Sequence, residues 1–140
     1  MDINVNLTAV VFAALAQFVV GAIWYTPIFG KTWGKIHGFD KLSAQTQKEM
    51  QKSMGGWLVL QFVAGLLTSF VLAHLIVSFK DENVYKLATW MWAGFVVPTQ
   101  YAAVAFGGTD GKWIWKKLAI MAGGSLACLM VGAYMLKVLY

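Results

Sequence analysis

Four stretches of this chain contain no Asp, Glu, Lys or Arg: 3–30, 53–79, 87–109 and 118–136. Each approaches or exceeds the ~20 residues that an α-helix needs to cross ~30 Å of hydrocarbon. A water-soluble helical protein needs polar faces in such windows, because one side of each helix meets water. The 140 residues are 59% hydrophobic and 12% charged, where a soluble domain carries roughly 25% charged residues. The reading is an all-α, integral membrane four-helix bundle. It forms a single membrane domain, 1–140, with spans at about 5–25, 57–79, 84–106 and 113–138. The opening "MDINVN" has an acid and no base, unlike the basic start of a secretory signal. The first span is therefore expected to stay in the mature protein.

The net charge is +5, and every basic residue is a lysine. The lysines form no compact basic domain of the kind that binds nucleic acid; they lie in the connections. Lys31, Lys35, Lys41, Lys48 and Lys52 fall between spans one and two, and Lys112, Lys116 and Lys117 between spans three and four. Lys80 and Lys86 are offset by Asp81 and Glu82, with Lys137 near the C-terminus and Asp2 near the start. Lysine-rich connections stay on the cytoplasmic side. This gives an N-out/C-out, multi-pass protein of the cytoplasmic (inner) membrane, with 31–56 and 107–117 inside.

The long inner connection carries Leu42, Thr46, Met50 and Met54 at four-residue spacing, with Lys41, Gln45, Lys48 and Lys52 on another side. That pattern predicts a short amphipathic cytoplasmic helix within 41–54, set near anionic head groups. Gly55-Gly56 suggests a bend before span two; a straight extension of span two is the alternative. The short turn Lys80–Asn83 predicts a hairpin of spans two and three. Pro98 predicts a kink between Gly94 and itself, since proline lacks the donor for the carbonyl four residues back. Ala9, Ala13, Gln17 and Gly21 form a row at intervals of four, as do Gly124, Cys128 and Gly132, and Ala119, Gly123 and Ala127. Such rows let helix backbones approach in lipid, within one subunit or between subunits. "FGKTW" and "FGGTDGKW" form a faint echo after spans one and three, which would suit a two-plus-two repeat.

Polar chemistry inside the spans is sparse. No Asp or Glu lies within one, which argues against a proton-coupled exporter. His37 and His74 are expected at opposite ends, so no metal site is expected. Cys128 has no disulfide partner, and no phosphate loop or nucleophile motif occurs. No cofactor is implied. Gln17, Gln61 and Gln100 remain, each within roughly 6–12 Å of the inner end of its span at 1.5 Å per residue. With Thr99 they are either interhelical glue or the lining of a polar cavity open to the cytoplasm. His74 is either an interfacial histidine or a pH-sensitive group. Trp24, Tyr25, Trp33, Trp57, Trp113 and Trp115 are expected in an inner aromatic belt. Tyr85, Trp90, Tyr134 and Tyr140 are expected in an outer one.

The end of span one, "WYTPIFGKTW", joins Trp24, Tyr25, Pro27, Gly30, Lys31 and Trp33. Thr26 precedes a proline, which disfavours helix there, and Gly30 allows a turn. Pro27 and Gly30 are expected to fold the chain back toward Gln61 and Gln100. This stretch resembles the signature of the DUF1761 family, small and mostly bacterial membrane proteins of unknown function. "WAGFVVP", residues 92–98 with Pro98 at its end, is similar to a second block of that family. The resemblance covers essentially the whole chain and implies a four-helix membrane architecture. It brings no activity and no catalytic residue with it.

The expected function is non-enzymatic: binding a partner, lipid or small amphiphile at the inner leaflet, in a homo-oligomer. The alternative is an oligomeric channel or carrier for a small uncharged or anionic solute. The orientation is directly testable. A Gln45→Cys thiol is expected to react with an impermeant maleimide only after the cytoplasmic face is opened. Labelling of intact cells would reverse the assignment.

Overall fold

The computed structural model describes residues 4–140, and its elements are all helical. Asp2, counted above with the outer end, lies outside the described residues. Helix α1 (Leu7–Ile23) starts where the Asn6 carboxamide oxygen accepts the Ala9 N–H, satisfying a donor that the first turn leaves unpaired. A wide π-helical turn, Trp24–Ile28, leads to the short α2 (Gly30–Ile36). Ser43 caps α3 (Ala44–Ser53), the amphipathic helix expected within 41–54. Helix α4 (Gly55–Ser78) follows almost directly. The break falls at Met54 and not at the glycines. The Met54 N–H reaches the Gln51 carbonyl three residues back, and Gly55 and Gly56 are already helical. Met50 on α3 and Met54 just past its end stay exposed.

Asn83 caps α5 (Val84–Met91) through the N–H groups of Tyr85 and Lys86. A second wide turn, Trp92–Val96, joins it to α6 (Val97–Phe106). A turn then leads to α7 (Ile114–Leu139). Gly108 has φ +78° there, a left-handed conformation that suits glycine. The echo noted after spans one and three does not survive folding. Gly30–Trp33 is helical, whereas Gly107–Asp110 is a turn.

Three helical stretches are long and apolar enough to cross a membrane: Leu7–Ile28 (22 residues), Gly55–Ser78 (24) and Gly111–Leu139 (29). At 1.5 Å per residue they reach about 33–43 Å. The fourth expected span is helical from Val84 to Phe106 but falls outside this group. Trp90, Trp92, Pro98, Thr99, Gln100 and Tyr101 dilute its apolar character. Large apolar side chains project outward from these helices, among them Phe12, Leu67 and Phe95 at 49, 65 and 75% exposure. Water would not tolerate so continuous an apolar surface.

The centre of the bundle is the antiparallel pair α1 and α7. The small-residue rows of the two helices meet here: a Cβ on Gly21 would lie 3.8 Å from the Cys128 sulfur, and Gly132 lies under the Gln17 amide. The rows therefore serve packing within the subunit. Helix α4 packs on α1, and α5–α6 packs on α7. The expected hairpin of spans two and three is correct only at its turn, because α4 and α6 take different partners. The buried cluster joins Ala9, Val10 and Ala13 to Leu72, Ala73, Ala88, Leu129, Ala133 and Leu136. It lies at the end where the termini meet, with the Asn6 N–H donating to the Tyr140 hydroxyl at 2.7 Å. At the lysine-rich end the packing is looser, and every residue from Lys48 to Gln61 is exposed.

The tight end predicts a position-specific response to added volume. A Cβ at Gly132 would sit 2.6 Å from the Gln17 amide nitrogen, which donates to Ser69 Oγ at 2.7 Å. Gly132→Ala is expected to displace that amide and cost about 1–2 kcal/mol in detergent unfolding. Gly56→Ala, where a Cβ meets nothing within 4 Å, is expected to be neutral or stabilising.

Candidate functional site

The residues around Pro27 build the site. Proline has no N–H to give the Ile23 carbonyl, and its ring crowds that carbonyl. The helix does not stop here, as expected from Thr26-Pro27, but widens by one residue. The Phe29 N–H reaches the Trp24 carbonyl, five residues back, at 2.9 Å. At Gly30 a Cβ would lie 3.2 Å from the Tyr25 carbonyl oxygen, so glycine suits this close approach. The extra residue turns the following rings onto the preceding ones. Trp24 meets Phe29 with centroids 4.8 Å apart, and Tyr25 meets Trp33 at 4.9 Å. Trp33 then meets His37 at 4.5 Å, and the His37 ring nitrogen bonds to the Trp33 carbonyl at 2.8 Å. Lys117, from the start of α7, holds its ammonium 5.8 Å from the Trp33 ring centre. This is cation–π geometry. Lys31 and Lys35 are exposed on α2 beside this stack.

Trp24 does more than line an interface. Its indole N–H donates to the Ile120 carbonyl at 2.9 Å. Its ring lies where a Cβ on Gly123 or Gly124 would come within 2.8 Å. The second wide turn repeats the arrangement. Pro98 offers no N–H to the Gly94 carbonyl, and the Val97 N–H reaches back five residues to Trp92. The expected kink takes the form of this π turn, and the Trp92 indole donates to the Ala122 carbonyl at 2.8 Å. Between them, the Gln100 amide donates to the Met121 carbonyl at 3.4 Å, and Ser125 Oγ lies 3.5 Å from its oxygen. Three consecutive carbonyls of α7 thus each receive a side-chain donor from another helix.

The polar residues picked out by sequence are scattered among separate contacts. Gln17 is buried and bonded to Ser69, and Gln100 is held on α7. Thr99 is exposed and returns its hydroxyl to the Phe95 carbonyl at 2.6 Å. Gln61 is exposed on α4, and Pro98 is exposed on α6. His74 turns its ring nitrogen to the Phe70 carbonyl at 2.9 Å and lies against the Phe70 ring. Among the described residues, no group of three His, Cys, Asp or Glu could hold a metal. Sequence reasoning missed Ser69, Ser125, Lys117 and the tether role of both tryptophans. The pairing of each Trp with a nearby proline was the available signal. Trp57, Trp90 and Trp115 are exposed, at 71, 67 and 74%.

A family model described as a protein of unknown function, DUF1761, matches residues 8–137, and the chain belongs to that family. No curated protein and no solved structure matches the chain.

The tethers can be weighed separately. Trp24→Phe keeps the ring and removes the donor, which is expected to cost about 1 kcal/mol in detergent unfolding. Gly124→Ala drives a methyl into a rigid indole and is expected to cost about 1–3 kcal/mol.

Proposed function

We propose that this member of the DUF1761 family is a four-span protein of the cytoplasmic membrane. In this reading it binds an anionic lipid or similar small amphiphile at the inner leaflet, without enzymatic activity of its own. Parity supports the fourth span. The start of α1 and the end of α7 lie side by side, with Asn6 bonded to Tyr140 and Leu139. A chain that enters and leaves on one face crosses an even number of times, so three apolar helices need Val84–Phe106 as a fourth crossing. The lysine distribution then supports termini outside.

The observation that carries the ligand class is the stack Tyr25–Trp33–His37 with Lys117 over Trp33. Lys112 and Lys116 stand within 5.8 and 5.7 Å of the Trp113 ring centre on the same loosely packed end. Flat rings accept an acyl or aromatic body, and the ammonium groups attract an anionic head. Lysines near a membrane surface contribute about 1 kcal/mol each to such attraction. The channel or carrier reading draws less support, because Gln17 and Gln100 turn their amides to partners within the bundle.

Native mass spectrometry of the purified protein tests this reading. Phosphatidylglycerol is expected to be retained in preference to phosphatidylcholine. Lys117→Gln and Trp33→Ala are each expected to weaken that retention several-fold. Equal retention of both lipids, or variants that behave as wild type, would overturn it.

A further inference from the structure

One flank of α4, beside the side that packs on α1, carries a pattern that suits a second helix. Trp57, Gln61, Ala64, Thr68 and Val71 recur at spacings of four, three, four and three, the seam of two helices wound left-handedly. Trp57, Gln61, Ala64 and Val71 are exposed, and Thr68 is half-buried with its hydroxyl returned to the Ala64 carbonyl at 3.1 Å. Gln61 is the exception in an apolar stripe. It stands six residues beyond Gly55, the first residue of α4, about 9 Å along that helix, between Leu60 and Phe62. Gln17 and Gln100 have partners within the subunit, whereas the exposed Gln61 amide has none among the described residues. An amide unpaired in hydrocarbon costs several kcal/mol.

We propose that two copies of this chain form a parallel, two-fold symmetric dimer through this α4 stripe, with their Gln61 amides hydrogen-bonded to each other. Three features select a second copy over lipid. A primary amide carries both donors and an acceptor, so it is its own complement, whereas an acyl chain offers neither. Two copies inserted in the same direction and related by an axis along the membrane normal bring Gln61 to the same depth in both. Ala64, one turn away, lets the backbones come close enough for the amides to meet. No residue of the stripe belongs to the Tyr25–Trp33–His37 stack, so dimerisation does not depend on the proposed ligand.

The test uses the full-length protein, fluorescently labelled and reconstituted in vesicles over a range of protein-to-lipid ratios. Single-molecule photobleaching steps count the subunits. The wild type is expected to pass from one step to two as the ratio rises. Gln61→Leu is expected to weaken the dimer about five- to thirty-fold without lowering the unfolding temperature, because the side chain is exposed within the subunit. Val63→Ala, two residues past Gln61 and so about 160° round α4 from it, is 52% exposed and is expected to change nothing. In a Cys128→Ala background, oxidation is expected to cross-link Gln61→Cys and not Val63→Cys. A single step at all ratios, a Gln61→Leu dimer of wild-type strength, or cross-linking at position 63 in place of 61 would each overturn the proposal. A monomer that retains lipid would do the same.

Discussion

Three neighbouring carbonyls on α7 hold the lysine-rich half of this protein in place. Ile120 accepts from Trp24, Met121 from Gln100 and Ala122 from Trp92. Consecutive carbonyls on a helix point about 100° apart, so the donors approach from different sides. Trp24 comes from the α1 side, and Gln100 and Trp92 from the α5–α6 side. Each carbonyl already serves the helix ladder through one lone pair and has a second to offer. In lipid, where nothing else satisfies an indole N–H or an amide, these bonds fix the rotation and depth of the neighbouring helices. Gly123 and Gly124 are what let the Trp24 ring come close enough.

The wide turns follow from the same economy. Each proline deprives a carbonyl of its donor, and each helix answers by lengthening one turn with a bond that returns to a tryptophan carbonyl. The residue gained aims that tryptophan at α7. After the first turn it also brings Trp33 back against Tyr25 and under Lys117. The proline, the tryptophan and the glycine of "WYTPIFG" are thus parts of one device. It ties α1 to α7 and leaves an aromatic surface beside lysines.

The two ends of the bundle differ in kind. At the end with the termini, small residues close a dense core, from Ala9 and Ala13 to Ala133 and Leu136. At the lysine-rich end, aromatic side chains replace small ones and the start of α4 stands free. Small residues thus pack one end closely, and the other leaves rings and charges exposed.

Much of this was legible in the residues themselves. Windows without charge locate the helices, because only apolar side chains suit a continuous hydrocarbon environment. The small-residue rows mark α1 and α7 as helices whose backbones pack closely, because close approach requires side chains of that size, but the structure alone pairs them with each other. The helix at Ala44–Ser53 follows from periodicity alone. Rotation and partnership were not legible. Trp24 at the end of a span reads as an interfacial anchor, and three glutamines at similar depth read as one layer. Only the packed helices decide that the indole reaches Ile120, that Gln17 takes Ser69, that Gln100 takes α7, and that Gln61 is left on the outside. Sequence fixes depth along a helix through hydropathy and rise per residue. The direction a side chain faces depends on which neighbour arrives, and a single proline, by widening one turn, resets that direction for every residue after it.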